Sequence, residues 1–244
     1  MSKRSQRAAK AEPTSPWVIG GLIGIAILVV AVLIISTQNQ RPAAPTGAPD
    51  LSSLTDIPTG VTAEGVPYRG SLDAKVVVQE YEDLRCPFCQ KYFLETEAQV
   101  LEQYVKTGLV RIESHVFPLL GNPSVAATEA LECAKEQGKY WEFRHIAFTY
   151  QPSEATPDGR DEFVQYAKWA GADSDKFASC FDTQRYRTTV QRAGQAAQAA
   201  NVTSTPTFIV NGVTYTGAYA FTGDSTREGF KDILDAALLA ANQP

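Results

Sequence analysis

Two cysteines separated by two residues, Cys86-Pro87-Phe88-Cys89, are the side chains of this sequence best placed to do chemistry. Thiols at that spacing can close a small ring, hold two electrons, and pass them on through a mixed disulfide. The attacking species is the thiolate, so the first cysteine needs surroundings that favour negative charge. An apolar run, Val76-Val77-Val78, precedes the pair, and a helical pattern opens at Cys89 and continues past Tyr104. Cys86 therefore falls at a helix N-terminus, where unpaired backbone N–H groups and the helix dipole favour an anion. Pro87 suits the first turn, because the N–H it lacks would have had no intrahelical partner there. Two other uses of the motif compete. Half a zinc site would need further ligands, and the only histidines, His115 and His145, lie far downstream; no metal is assigned. A purely structural disulfide is the second, and the helix-start setting speaks against it.

The elements that position this pair follow in order. Ala74 to Tyr81 reads as a central strand, nearly all apolar. Val66 to Gly70 reads as a short edge strand ending in a turn. The helix after Cys86 presents Phe93, Val100, Leu101 and Tyr104 at helical spacing and stops at Gly108. Leu109 to Phe117 alternates and forms a second strand. From Asn122 to about Ala200 the pattern is helical throughout, with Asn122-Pro123 as a cap and first turn, Gly138 and Gly171 as stops, and Asp173 as a further cap. Strand character returns at Thr207 to Val210. Asn211-Gly212 then predicts a tight hairpin into Val213 to Thr216. Thr226 to Ala241 is a closing amphipathic helix.

The N-terminal region has a different character. Residues 1–16 carry four basic residues against Glu12, a charge of +3, which leaves -8 on the rest of a chain whose formal net charge is -5. An acidic body without a basic stripe argues against nucleic acid as a partner. Trp17 to Ile35 is uncharged and apolar, and residues 17–36 have the length of a single transmembrane helix. The basic residues before it place the N-terminus in the cytoplasm and the remainder outside. The run exceeds the 7–15 residues of a signal-peptide core and lacks a small-x-small cleavage site, so an uncleaved anchor is expected. Residues 37–60 hold Pro42, Pro45, Pro49 and Pro58 and read as a semi-extended linker. The folded domain is expected over 61–244, with a helical insertion at about 119–200.

The order strand, helix, strand, helical block, hairpin, helix, with Cys-x-x-Cys at the first helix, resembles an α/β thioredoxin fold with an inserted all-helical subdomain. The motifs Glu80-Tyr81-Glu82-Asp83-Leu84-Arg85-Cys86-Pro87-Phe88-Cys89 and Thr203-Ser204-Thr205-Pro206-Thr207-Phe208-Ile209-Val210-Asn211-Gly212 resemble those of the DsbA-like thiol–disulfide oxidoreductases, in particular the membrane-anchored kind of Gram-positive and actinobacterial cells. The resemblance implies that Cys86 is the exposed nucleophile and Cys89 the buried resolving thiol. Pro206 would be a cis-proline that turns the Thr205 backbone toward the sulfurs. Glu80 would be a partly buried carboxylate moving protons to or from Cys89, whereas Glu82 and Asp83 are expected to be solvated. His115 and His145 are read as ordinary core or surface histidines.

The same resemblance implies an enzyme that needs no cofactor and oxidises unfolded secreted proteins bearing free cysteines. A membrane partner of DsbB or VKOR type would reoxidise it. Two departures bear on this. Phe88 stands where the DsbA of Gram-negative bacteria has histidine, and its side chain cannot donate to the Cys86 thiolate. Thr205 stands where DsbA has valine, as in some disulfide isomerases. A reductase or isomerase, for instance in cytochrome c maturation, and a non-catalytic client-binding module are the alternatives. Cys133 and Cys180, the second pair in an exported domain, suggest a structural disulfide, with two buried free thiols as the alternative.

Overall fold

The computed structural model describes residues 47–152 and 159–243. The expected cytoplasmic tail and anchor, and the linker up to residue 46, lie outside the described residues. The linker's end does not. Ser52–Leu54 forms a 3-10 turn, Ile57 is buried, and strand β1 runs over Thr59–Val61. The folded domain thus begins before residue 61, because Ile57 finds an apolar site although Pro58 follows it.

Strand β2 is Pro67–Arg69, β3 Val76–Glu82, β4 Val110–Val116, β5 Thr207–Val210 and β6 Val213–Thr216. They form one sheet in the order β1-β2-β4-β3-β5-β6, with β3 and β4 parallel and the other neighbours antiparallel. β2, expected at the edge, is covered by β1. Gly70 ends it at φ 110°, and a Cβ there would stand 2.7 Å from the Val110 carbonyl oxygen. Only glycine accommodates both. Asn211 and Gly212 both have positive φ, 46° and 88°, as the two-residue hairpin requires.

Helix α1 starts as Pro87–Tyr92 and continues through Phe93–Glu97, Ala98–Val100 and Leu101–Val105, the second and fourth stretches being wide π-type turns. Five helices fill the inserted block: α2 Asn122–Lys135, α3 Tyr140–Thr149, α4 Arg160–Trp169, α5 Ser174–Asp182 and α6 Arg187–Ala199. Asp173 caps α5 by accepting from the backbone N–H groups of Asp175 and Lys176. At α2 Gly121 takes the cap position and Asn122 is already helical, without a side-chain cap bond. Helix α7, Phe230–Ala241, begins four residues later than its apolar pattern suggested. The Asp224 carboxylate holds the backbone of Thr226 and Arg227 in a turn instead.

Two cores result. One lies against the sheet between α1 and α7 and includes Val76, Val78, Tyr92, Val110, Ile112, Phe208 and Phe230. The other fills the helical block with Phe143, Phe148, Phe163, Tyr166 and Phe177, and it reaches Leu84, Cys86 and Cys89. The Cys86-Pro87-Phe88-Cys89 segment therefore stands where the sheet domain meets the insertion.

Candidate active site

Cys86 occupies the N-cap position of α1, with Pro87 in its first turn. Its backbone N–H donates to the Asp83 carbonyl at 2.9 Å, and its carbonyl accepts from Gln90 N–H at 3.1 Å. Gln151 clamps this loop to the helical block, donating to the carbonyls of Leu84 (2.7 Å) and Cys86 (3.3 Å). The Thr205-Pro206 bond is cis, and the Cys86 thiol donates to the Thr205 carbonyl at 3.3 Å. Residues 119 positions apart in sequence are thus brought to one sulfur, as the resemblance implied.

The nucleophile is less open than expected. Cys86 is 6% exposed, against 2% for Cys89. Phe88, 61% exposed, takes the outward position. Its acidity is strongly perturbed all the same. The Cys89 thiol, donating to it, is the chief cause of a Cys86 pKa lowered to about 6. Burial opposes the shift, and the Thr205 hydroxyl and the backbone N–H groups of Cys89 and Phe88 assist it. The Thr205 hydroxyl is buried and has no other hydrogen-bond partner among the described residues, so it becomes fully satisfied when the sulfur ionises. Phe88 accordingly contributes through its backbone what its side chain cannot. Cys89 is pushed the other way: burial first, then the neighbouring Cys86 and the Glu82 charge, raise its thiol well above the usual range.

Glu82 and Asp83, expected in solvent, are buried completely, at 0% exposure each. Alternation explains Glu82. In β3 the even-numbered residues Val76, Val78, Glu80 and Glu82 share one face, and that face is covered along the whole strand. Asp83 serves as a loop tie. Its carboxylate accepts from the N–H groups of Arg85 (2.9 Å), Leu119 (2.8 Å) and Leu120 (3.1 Å), joining the Cys86 loop to the entrance of the helical block. Burial raises its pKa against these hydrogen bonds.

Beneath the sulfurs lies a cluster of five buried charged side chains. Arg144 donates to Glu82 through Nε (2.8 Å) and Nη2 (2.6 Å), to Glu97 through Nη1 (3.1 Å) and to Glu80 through Nη2 (3.0 Å). Arg69 pairs with Glu97 at 3.0 Å and lies over the Trp141 ring, 4.5 Å from its centroid. Three carboxylates face two guanidinium groups, so one carboxylate has no countercharge. Glu80 is that one: burial drives its pKa up to about 8 even though Arg144 pulls it down. Burial would also raise Glu97, but Arg144 and Arg69 overcome this and hold it at about 2. With Glu80 protonated the cluster is neutral, the cheapest state for a buried group of charges.

Arg69, Glu97, Arg144 and Gln151 did not stand out in the sequence. Arg144 had a visible signal, a lone cation on the apolar side of an aromatic helix, next to Phe143 and followed by Ile146, Ala147 and Phe148. His145 packs edge-on against Phe93, and His115 stacks on Tyr81; burial lowers the pKa of each. Cys133 and Cys180 form a disulfide between α2 and α5, with Cα atoms 5.9 Å apart.

A cysteine pair at the start of α1, a cis-proline loop facing it and a helical block inserted in the sheet domain are features of the DsbA-like fold. Solved structures agree. BdbD from Bacillus subtilis superposes with a TM-score of 0.64 at 22% identity, over 75% of this chain and 99% of that one. DsbA from Chlamydia trachomatis gives 0.62 at 17% identity, over 74% and 93%. DsbA from Mycobacterium tuberculosis gives 0.53 at 22% identity, over 77% and 100%. The thioredoxin family model matches residues 62–236, and the chain belongs to that family. Among curated proteins it is similar to the Na(+)/H(+) antiporter NhaA 3 of Salinispora tropica, 33% identical over 153 residues, which are 62% of this chain and 22% of the antiporter. NhaA 1 of Mycolicibacterium vanbaalenii is 31% identical over 157 residues, 62% and 24% of the two chains. The chain spans about a quarter or less of the length of these relatives.

Proposed function

We propose that this chain is an exported, membrane-tethered protein disulfide oxidase in which Cys86 and Cys89 accept electrons from unfolded secreted proteins. The observation that carries the reading is the placing of Cys86 at the N-cap of α1, its thiol 3.3 Å from the carbonyl that precedes cis-Pro206, a setting that lowers Cys86 to about 6 while burial raises Cys89. A client thiolate attacks the Cys86 sulfur of the oxidised pair and expels Cys89. A second client thiolate then attacks the mixed disulfide and expels Cys86, which leaves readily as a stabilised thiolate. Stabilising the Cys86 thiolate stabilises the reduced enzyme, which makes the disulfide form more oxidising. At neutral pH this effect is on the order of 1 kcal/mol, or a few tens of mV for two electrons. Exposed Phe88, together with exposed Leu119 and Leu120 on the loop tied to Asp83, offers an apolar rim suited to unfolded chains.

Tethering through residues 17–36 and reoxidation by a membrane partner of DsbB or VKOR type complete the proposal, on the sequence grounds given above. No antiporter activity is proposed, because the match covers 22% of the antiporter. Thr205 before the cis-proline favours a second reading as reductase or isomerase. The Cys86/Cys89 potential separates them. A value nearer about -120 mV supports the oxidase, and one near about -270 mV the reductase. Cys89→Ser should trap clients as mixed disulfides with Cys86, and a failure to trap any exported protein would sink both.

A further inference from the structure

Asp83 is a buried acid that the exchange reaction does not use. It is 0% exposed, and a buried carboxylate is costly unless its oxygens are hydrogen-bonded. One oxygen, Oδ1, accepts from the Arg85 N–H at 2.9 Å, an ordinary turn closed two residues on. The other, Oδ2, reaches a different part of the chain, the loop between β4 and α2. There it accepts from the Leu119 N–H at 2.8 Å and the Leu120 N–H at 3.1 Å. Neither N–H has another acceptor among the described residues. The turn needs only one oxygen; the second serves the loop.

The loop held in this way is unusual for what it leaves outside. Phe117, just before it, is 3% exposed and donates its N–H to the Glu82 carbonyl at 2.7 Å. Leu119 and Leu120 turn their N–H groups toward the buried carboxylate, and as residues they stay 39% and 46% exposed. Two successive leucines kept in solvent by a backbone clip add little to the core. Asp83 also accepts from the Cys86 N–H through its own carbonyl, at 2.9 Å. One residue therefore holds the backbone of the reacting cysteine with one group and that of the two leucines with another. Phe88, exposed two positions beyond Cys86, is the third apolar side chain of this rim.

We infer that Asp83 is a specificity-determining positioning residue, fixing Leu119 and Leu120 beside Cys86 so that the site favours client cysteines with an apolar residue next to them in sequence. The occupant is an unfolded segment whose thiolate reaches Cys86 while its apolar neighbour lies on the leucines. Continuity with the reacting sulfur argues for this occupant, because the leucines and Cys86 are held by the same residue. A loop that is already fixed need not be ordered by the client, so the gain appears in binding. Asp83 itself touches neither client nor sulfur. The inference rests on the thiol–disulfide exchange proposed above and names what that exchange selects; it does not depend on its direction.

The test uses the full-length chain in its disulfide form and two dithiol peptides that differ in one residue, leucine or serine beside the first cysteine. Reduction of Cys86–Cys89 is followed by acid quench and alkylation over a range of peptide concentrations. The wild-type chain should half-saturate with the leucine peptide at a concentration about fivefold lower, less than the roughly 10–200-fold discrimination of an enclosed pocket. Asp83→Asn keeps the shape but turns one acceptor into a donor. It should remove most of that ratio, through half-saturation and not through the plateau rate. Leu119→Ser with Leu120→Ser should remove it as well, and adding Asp83→Asn to that pair should lower the ratio no further. Should Asp83→Asn fail to fold, amide hydrogen exchange of the wild-type chain carries the test: the Leu119 and Leu120 amides should be protected although both residues are exposed. A wild-type chain without the preference, a preference that survives Asp83→Asn, unprotected amides at both leucines, or a loss that tracks a shifted Cys86 titration would overturn the inference. So would a dimer that the leucine variants dissociate, which would assign this face to a second copy. A wild-type disulfide that neither the peptides nor dithiothreitol can reduce would instead overturn the underlying reading.

Discussion

The chain holds two cysteine pairs in one apolar cluster, one free and one bridged. Cys86, Cys89, Cys133 and Cys180 all belong to the core of the helical block. Exposure does not separate them: 6% and 2% for the first pair, 1% for each of the second. What differs is the polar setting. Cys86 has a thiol donor, a hydroxyl and two backbone N–H groups directed at it, whereas Cys133 and Cys180 are joined across two helices amid Ala130, Leu131, Phe163 and Phe177. The two pairs are therefore distinguished by which donors reach the sulfur and not by exposure.

The comparison can be broken most directly by alkylation. At pH 7 a thiol with a pKa near 6 is mostly ionised, and one near 9 only about 1% so; set against the lower nucleophilicity of the more acidic thiolate, this predicts Cys86 labelling about severalfold faster than an ordinary thiol. Iodoacetamide kinetics with mass mapping checks this, and Cys86→Ser should abolish exchange outright. Equal labelling of Cys86 and a free amino acid thiol would remove the distinction. The second pair should matter only for stability. Its 47-residue separation corresponds to about 4 kcal/mol in the chain-entropy model. Cys133→Ala with Cys180→Ala should lose about that much in denaturant unfolding and leave the exchange rate within about twofold. A parallel loss of exchange would show that the pairs are coupled.

The charge cluster under Cys89 sharpens the contrast through pH. Glu80 at about 8 lies above its ordinary 4.5, so between these values the folded chain keeps a proton that the unfolded chain releases. Its contribution to stability is complete below pH 4.5 and is lost as pH rises through 8, on the order of a few kcal/mol. Glu97 at about 2 behaves oppositely, contributing above 4.5 and losing that as pH falls toward 2. In the disulfide form, where neither Cys86 nor Cys89 titrates, urea midpoints should decline from pH 5 to 8, and Glu80→Gln should flatten the decline. An unchanged slope in the variant would mean that Glu80 is not the carboxylate left without a countercharge.

The elements around Cys86 were legible because they rest on local pattern. An apolar strand, a helix start, Thr205-Pro206 and Asn211-Gly212 each announce themselves within a few residues, and the insertion follows from helical spacing and its glycine stops. The charge cluster was not legible, because it joins β2, β3, α1 and α3, and no local signal pairs Glu82 with Arg144 across 62 positions. Asp83 was misread for the same reason: its three amide donors, two of them on the loop after β4, appear only once the chain is folded. The edge of the sheet was misplaced because three residues of β1 follow a proline-rich stretch that resembles a linker.

The smallest effect isolates a single donor at the reactive pair. The Thr205 hydroxyl is buried, has no other partner among the described residues while Cys86 is a thiol, and lowers the Cys86 pKa. Thr205→Val keeps the side chain's shape and removes that donor. A hydrogen bond to a charged group contributes about 1.5–3 kcal/mol when both partners are optimal, and with three other donors on the same sulfur the share lost should be smaller, about 1 kcal/mol. The Cys86 pKa should therefore rise by somewhat under one unit, and the reduced form, deprived of part of its thiolate stabilisation, should become less favoured. The disulfide would be a weaker oxidant by about 20 mV. The same change also removes a buried unsatisfied hydroxyl from the oxidised form, which shifts the equilibrium in the same direction. Thr205→Ser, which retains the hydroxyl, should keep the original titration, and a Thr205→Val protein with an unmoved Cys86 pKa would show that the backbone and Cys89 alone hold the thiolate.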